Sequence, residues 1–340
     1  MSESLISFAI IAYNQEGFIS DSIEASYAQN FHNMEVVISD DCSIDSTFEV
    51  IKHSVEAHEG IQTIVHRKAV NQGINANVNT IDTLCHGQFI VISAGDDVSV
   101  PNRVEKLVEQ WESGAVGVFS NAEVIDEKGN EKGLFMHKGY HHFSTWQEMI
   151  IVGSHGAWGA TFAWDKKVFD LFGPLPLDIL GEDAIIPFRC ALLGGVAYVD
   201  EALVQYRDHG GNVSFWSQIK KTSGKALRVI GRKTIQFDLL MYKHWRTDIR
   251  KAASSGLISA VDMEWAEERL CVHERIRNVQ LELLRVTFIQ ALLKCIKVLW
   301  SKRASDNRSL WFKRLVGTLL QFHMPLLYKI VLHVRGENRG

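Results

Sequence analysis

The sequence predicts an α/β fold that opens on a parallel sheet and closes in an all-helical segment. Three observations predict it. Short apolar runs rich in β-branched residues alternate with stretches of helical period over residues 1–120. The second and fourth of those runs stop at acid pairs, Asp40-Asp41 and Asp96-Asp97. From Phe215 onward strand patterns vanish, while helix-forming residues continue at helical spacing.

Residues 5–12 (LISFAIIA) form a short apolar run closed by Tyr13-Asn14 and read as a buried strand. Residues 18–28 set Phe18, Ile19, Ile23 and Tyr27 at helical spacing. Residues 34–39 (MEVVIS) are the second strand, 47–57 a helix and 62–66 the third strand. Asn71-Gln72-Gly73 is a turn before a helix over 74–84. Residues 88–93 (QFIVIS) are the fourth strand, ended by Gly95-Asp96-Asp97. Pro101 suits a first helical turn, and residues 103–111 continue it. A fifth strand is expected at 116–120. Strands alternating with helices imply right-handed crossovers and parallel pairing. Beyond residue 121 the alternation weakens: a turn at 127–130, strands at 158–164 and 202–206, and a helix at 183–193 are expected. Residues 217–254 and 257–298 carry helical period.

The chain has 340 residues, 46% hydrophobic and 22% charged, an ordinary globular composition with ample material for a core. Its net charge of −4 hides an asymmetry. Residues 285–340 hold 11 Lys and Arg against 2 Asp and Glu, a charge of +9, which leaves −13 on the rest. A basic tail on an acidic body points to an anionic surface as the tail's partner, not to nucleic acid. Residues 291–303 and 310–314 mix Leu, Ile, Trp and Phe with Lys and Arg. That composition suits an interfacial helix on anionic lipid, or a helix packed on protein with a solvated basic face. The five cysteines are scattered, without a CxxC, which fits a reducing, cytoplasmic compartment. The apolar run at 5–12 is too short for a signal peptide or an anchor. Residues 315–328 fall short of a membrane span.

Ligands of open α/β sheets bind beyond the carboxyl ends of the strands. Asp40, Asp41 and Asp45 follow one such end, and Asp96 and Asp97 another. Each pair alone suits a helix N-cap. Two pairs at neighbouring strand ends repel unless a cation compensates, which favours a divalent metal with oxygen ligands, suited to a diphosphate. The first βα turn, Ala12-Tyr13-Asn14-Gln15-Glu16-Gly17, has one glycine and no GxGxxG, which excludes the dinucleotide cradle. Stacking on Tyr13 with hydrogen bonds to Asn14 and Asp41 is another way to hold a nucleotide.

Six motifs in order carry a resemblance: FAIIAYN (8–14), VVISDDCSIDST (36–47), FIVISAGDD (89–97) with Pro101-Asn102-Arg103, WGATFAWDKKVFDLFG (158–173), GEDAIIPFR (181–189) and YRDHGGNVS (206–214). Over roughly residues 4 to 214 the chain resembles the inverting family 2 glycosyltransferases of bacterial polysaccharide biosynthesis. The resemblance implies a GT-A, Rossmann-like mixed sheet flanked by helices over 1–214. Residues 1–120 would be its nucleotide-binding half and 121–214 its acceptor half, with a helical basic extension at 215–340. It implies that Asp41 accepts the N–H of a uracil-like base, with Ala12, Tyr13, Asn14 and Glu16 around the nucleotide and Asp45 in support. It assigns Asp97 to the metal, Mn2+ or Mg2+, Asp96 to the ribose or the metal's surroundings, and His209 to the metal or diphosphate. Asp183 would be the general base, and Glu182, Arg207 and Trp158 would face diphosphate or acceptor. Two spellings depart from the family's: Ala94-Gly95-Asp96-Asp97 replaces D-x-D-D, and Asp41-Cys42-Ser43 replaces Asp-Gly-Ser. The implied reaction moves a sugar from a nucleotide-sugar donor, a UDP-sugar, to a hydroxyl of a glycan or lipid-linked acceptor, at the inner face of the cell membrane. The alternatives are a sugar-phosphate nucleotidyltransferase and a non-catalytic, membrane-associated scaffold.

Overall fold

The computed structural model describes residues 4–58, 60–136, 142–209, 225–299 and 308–323. Nine strands form one mixed sheet. They are β1 (Ile6–Ala12), β2 (Met34–Asp40), β3 (Thr63–Arg67), β4 (Phe89–Ala94), β5 (Val98–Ser99), β6 (Gly117–Asp126), β7 (Glu131–Leu134), β8 (Ala163–Asp165) and β9 (Val196–Asp208). Their order is β3-β2-β1-β4-β8-β6-β9-β5, with β7 paired to β6. The first four strands are parallel, joined by α1 (Ile19–Tyr27), α2 (Thr47–Glu56) and α3 (Ile74–Leu84). The apolar runs of β1, β2 and β4 are covered on both faces, which is why they read as continuous rather than alternating. Ile6, Phe8, Ile10, Val36, Ile38, Phe89 and Val91 lie at the centre of that core.

Register sets the height of the strand tips. Ala12 pairs with Asp40, and Ile11 pairs with Ala94. The loops after β1, β2 and β4 therefore leave the sheet at one edge, with the β1 tip between the two acidic ones. After α4 (Arg103–Glu112) the sheet turns mixed. The short β8 runs antiparallel between β4 and β6, and β6 pairs parallel with β9.

Three sequence expectations need correction. Residues 158–164 are not one strand. Gly159–Thr161 is a 3-10 turn, closed by the Phe162 N–H on the Gly159 carbonyl at 3.0 Å, and only Ala163–Asp165 is strand. Residue 159 is backed by the Glu182 carboxylate, which a side chain there would meet, so the chain bends where a strand would need room. Residues 183–193 are not one helix. Glu182–Ala184 is a separate 3-10 turn, and α7 (Ile186–Leu193) begins afresh with Pro187 in its first turn, where no donor is needed. The strands expected at 116–120 and 202–206 extend to Gly117–Asp126 and Val196–Asp208, because their polar continuations pair with each other.

The chain divides into two compact units, Met1–Gly211 with His244–Met263, and Asn212–Lys243 with Glu264–Gly340. The segment His244–Met263, sequentially within the helical extension, thus belongs to the sheet-bearing unit. The remaining helices are α5 (Trp146–Val152), α6 (Lys167–Phe172), α8 (Lys225–Ser254), α9 (Ala260–Leu283), α10 (Phe288–Leu299) and α11 (Arg308–His323). The second unit has its own core of Ile276, Leu283, Ala291, Cys295, Trp311, Leu315 and Leu319.

At the opposite edge of the sheet the buried Glu35 accepts from Ser7 Oγ at 2.6 Å, His86 N–H at 2.6 Å and Gly87 N–H at 3.1 Å. A β-carbon on Gly87 would stand 2.5 Å from the Ser7 nitrogen, which is backbone and cannot yield. Gly87→Ala is expected to cost about 1–3 kcal/mol, read as a lower urea midpoint. Gly17→Ala, where a β-carbon meets nothing within 4 Å, leaves the midpoint unchanged.

Candidate active site

The first two strand tips are stitched together by reciprocal hydrogen bonds. The Asp41 N–H donates to the Ala12 carbonyl at 2.8 Å. Asn14 N–H donates to Ser43 Oγ at 2.9 Å, and Asn14 Oδ1 accepts from Ile44 N–H at 2.9 Å. Gln15 N–H donates to Thr47 Oγ1 at 2.7 Å. Glu16 N–H reaches Asp45 Oδ2 at 3.3 Å, and Glu16 Oε2 accepts from Ser46 N–H at 2.7 Å. Asp45 Oδ1 also accepts from the Thr47 N–H and hydroxyl. Tyr13 stands at this junction with 43% of its surface exposed, an open aromatic face. Asn14 and Cys42 take left-handed backbone, at φ 52° and 62°.

Asp41 is buried, and its carboxylate is already engaged. It accepts from Gly73 N–H at 2.7 Å and Gln72 N–H at 3.1 Å, and the buried Lys68 Nζ lies 3.3 Å away. Asp40 serves the loop: it accepts from Ser43 N–H at 3.0 Å and pairs with Arg67 Nε at 3.4 Å. Neither acid caps a helix. The residue before α2 is Ser46 and the residue before α4 is Asn102, and neither makes a side-chain cap.

The β4 tip carries the most unusual group. Asp97 is 1% exposed, and its Oδ1 accepts from the Arg207 N–H at 3.0 Å. Its Oδ2 has no hydrogen-bond partner. Burial, then the neighbouring charge of Asp96, pushes its carboxyl well above the usual range. Two strands place it. β5 pairs antiparallel with β9, Val98 opposite Gln205, which brings Arg207 onto the β4 tip. The Arg207 guanidinium then holds the Asp96 carbonyl at 3.0 Å and Asp21 Oδ2 at 2.9 Å, and lies over the Phe18 ring. His209 follows on the same strand end. Its Nε2 sits 2.8 Å from Asp96 Oδ2 and its ring packs on Phe18. The bond to Asp96 raises the imidazole above its ordinary value.

The third cluster is the turn Glu182–Ala184. Burial raises Asp183 to about 6, and burial followed by the charge of Asp183 raises Glu182 to about 7. Both keep a partly open face. Gly181, at φ +94°, turns the chain so that the Asp183 carboxylate folds back over it. Trp158, beside Gly159, stacks on Phe135 with centroids 3.6 Å apart and meets Tyr206 edge-on at 4.6 Å. The buried Arg103 donates to the Ile92 carbonyl at 2.7 Å and approaches the Ala160 carbonyl at 3.5 Å, while its charge acts on Asp97. Arg103 thus ties the β4 tip to the turn against which Glu182 lies.

The sequence-predicted residues therefore fall into three groups. Ala12, Tyr13, Asn14, Glu16, Asp41 and Asp45 share one loop pair. Asp96, Asp97, Arg207 and His209 share the β4–β9 junction, and Trp158, Glu182 and Asp183 share the third cluster. Residues 210–214 of the last motif lie outside the described residues. Sequence reasoning missed Lys68, Gln72 and Gly73 on Asp41, the Arg103 link, and Phe135. It also missed the asparagines of α3. Asn77 brackets Ser39, Asn75 donates to the Pro176 and Ile179 carbonyls, and Asn79 exchanges bonds with Leu175. Their i, i+2, i+4 spacing was a visible signal, but not where it would lead.

Among the described residues no group of three or more His, Cys, Asp or Glu side chains is arranged to hold a metal ion. The donor set still fits a cation bound largely through its substrate. A buried carboxylate oxygen without a partner is a costly vacancy, and one or two carboxylates plus phosphate oxygens are how Mg2+ is usually held.

Residues 7–169 match the family model described as Glycosyl transferase family 2. An uncharacterized glycosyltransferase of Nostoc sp. is 29% identical over 216 residues, covering 61% of this chain and 66% of that protein. The UDP-Glc:alpha-D-GlcNAc-diphosphoundecaprenol beta-1,3-glucosyltransferase WfgD of Escherichia coli is 28% identical over 128 residues, covering 37% of this chain and 49% of its own length. The alignments thus span less than two thirds of these relatives. In fold, the chain is similar to S. aureus TarS 1-349 in complex with UDP-GlcNAc, at a TM-score of 0.54 and 13% identity, covering 94% and 93% of the two chains. It is also similar to GalNAc-T7 with UDP, GalNAc and Mn2+, at a TM-score of 0.51 and 16% identity, covering 67% and 48%. With the GT-A-like sheet and the matched motifs in one chain, this protein carries a family 2 glycosyltransferase domain.

Proposed function

We propose that this protein transfers a sugar, with inversion, from a UDP-sugar to a hydroxyl of a glycan or lipid-linked acceptor. The observation that carries the reading is the orphaned, buried Asp97 Oδ2, on the strand tip beside the stitched loops of Tyr13 and Asp41. The printed names of the relatives point the same way: a UDP-glucose donor and a diphosphoundecaprenol acceptor for one, UDP-GlcNAc and Mn2+ complexes for the fold neighbours.

Each cluster has a task. Tyr13 offers a stacking face to the base, and Asp41, held in place by Gly73 and Lys68, is assigned to the base N–H. Asp97 would hold Mn2+ or Mg2+, with Asp96 beside it. When bound, the ion supplies neutralisation of the charge that develops on the departing diphosphate. His209, its charged form favoured by Asp96, is assigned to the diphosphate, because its Nε2 is already bonded to a carboxylate. Asp183 takes the proton of the acceptor hydroxyl as that oxygen attacks the anomeric carbon. Its value of about 6 leaves it ionised at neutral pH yet more basic than an ordinary carboxylate. Trp158, Phe135 and Tyr206 form an aromatic wall on the acceptor side.

Three measurements test this. Asp97→Asn keeps the shape and removes the charge, so calorimetric UDP binding should lose its dependence on Mn2+. An unchanged Mn2+ response would count against the site. Asp183→Asn should lower kcat by about 10²–10⁴-fold with UDP binding retained. In the wild type, kcat should fall as pH drops through about 6, because a base whose folded pKa is raised works only above that pKa. A flat profile between pH 5 and 8 would sink Asp183 as the base.

The acceptor class suggests a place to work. Among the described residues no helix is long and apolar enough to cross a membrane. In α10, Ala291 and Cys295 are buried, while Ile289 and Leu293 are 68% and 61% exposed and Leu292 and Ile296 also face outward. Lys297 on the same helix and Phe312 and Lys313 on α11 are exposed. With the +9 tail, this supports peripheral binding to an anionic membrane. The wild type should co-sediment with phosphatidylglycerol vesicles, and Leu293→Asp with Ile296→Asp should stay in the supernatant. Equal sedimentation of the double variant would refute the role of this helix.

A further inference from the structure

The turn that carries Asp183 has no strand to hold it. It follows a long irregular stretch, 173–181, and precedes a helix that lacks a side-chain cap. Its rigidity must come from other contacts, and these come from a segment far along the chain. The Trp245 indole N–H donates to the Ala184 carbonyl at 2.8 Å. The same indole is fully buried and stacks on Phe188, centroids 4.2 Å apart and planes 8° apart. One turn on, Asp248 Oδ2 accepts from Arg189 Nε at 3.0 Å, and Arg189 Nη1 in turn holds the Gly173 carbonyl at 2.7 Å. One residue before, His244 Nε2 lies 2.6 Å from Asp178 Oδ1. Residues 244, 245 and 248 lie on one face of α8 by their helical spacing. They hold Asp178, Ala184 and Arg189 directly, and Gly173 through Arg189, and Asp183 sits between these holds.

From this we infer that Trp245, aided by His244 and Asp248, is a positioning residue for the general base. The inference rests on the reading of Asp183 as that base. The catalytic unit is then incomplete at residue 214 and needs the second half of α8, which lies outside the residues matched to the family. The physical case is direct. The Ala184 carbonyl belongs to the residue after the base, and it is buried with the indole N–H as its donor. Without that donor the carbonyl must seek water, the turn opens, and the carboxylate leaves its attack position. A displacement on the order of 1 Å at a catalytic group costs about 10²-fold in rate.

Trp245→Phe keeps the stacking on Phe188 and removes only the donor. Asp178→Asn is a second, milder variant, since Asp178 is half-exposed and outside the core. Both variants are compared with the wild type as the full chain, with UDP-sugar donor and acceptor. For Trp245→Phe, kcat should fall about ten- to a hundred-fold with the donor KM and Mn2+-dependent UDP binding unchanged. The acid limb of kcat should also move below the wild-type value, toward that of an ordinary carboxylate, as water reaches the turn. Asp178→Asn should shift both in the same direction by less. Amide exchange at Glu182–Arg189 should quicken in Trp245→Phe, a readout that needs no turnover. Should Trp245→Phe match the wild type in kcat, acid limb and exchange, while Asp183→Asn is inactive, the positioning role is overturned and the base stands. An Asp183→Asn variant with wild-type kcat removes the base itself. In that case quickened exchange around Ala184 would still show the grip, and unchanged exchange would overturn it.

Discussion

A carboxylate without water around it sets the terms for the whole site. Asp97 is buried, receives one backbone N–H, and leaves its second oxygen unmatched. Such an arrangement costs stability on the order of 1–3 kcal/mol, more when the group is charged. It survives because its surroundings are over-determined. β4 is bonded on both sides, β5 pins the tip to β9, and Arg207 is itself fixed by Phe18, Asp21 and the Asp96 carbonyl. The odd strand order, with β9 returning beside β6, is what delivers Arg207 and His209 to the tip of β4.

A similar strain lies in the loop after β2. Cys42, at a position where the family resemblance leads one to expect glycine, adopts left-handed backbone at φ 62°. A side chain in that region costs roughly 1–2 kcal/mol. The bonds that Asp40 makes to Ser43 and Arg67, and those from Asn14 to Ser43 and Ile44, hold the loop in that shape regardless. The β-carbon of Cys42 therefore does not open the loop. It adds strain to a loop that is already braced from two sides.

What was legible in the sequence follows from how local each signal was. β1, β2 and β4 could be read from composition because burial on both faces forces an unbroken apolar run. Asp41 and Asp97 could be singled out because strand ends are local signals, and Asp183 because its motif is local as well. The strand expected at 158–164 failed because its bend depends on Glu182, more than twenty residues away, lying against Gly159. The lengths of β6 and β9 were underestimated because their outer halves are polar and stabilised by each other. Trp245, Asp248 and His244 were invisible for the same reason. On a helix, a tryptophan two residues after a lysine reads as one more amphipathic position, and only its partner at Ala184 gives it meaning.

One helix joins the Asp41 loop to the stretch that leads into Asp183. The turn that opens α3 donates Gly73 N–H to Asp41, the acid assigned to the nucleotide base. The flank of the same helix, through Asn75 and Asn79, holds the carbonyls of residues 175–179, the stretch that leads into Asp183. A shift of α3 along its axis would move Asp41 and the stretch before Asp183 together, and with them the proposed base pocket and the proposed general base. The separation of Asp41 from the stretch before Asp183 is thus held by a helix of 11 residues rather than by the loops themselves. Loops at strand tips are free to carry chemistry only because something stiff spans them. Here that element spans them on one side, and the second half of α8 grips the same stretch through residues of its own.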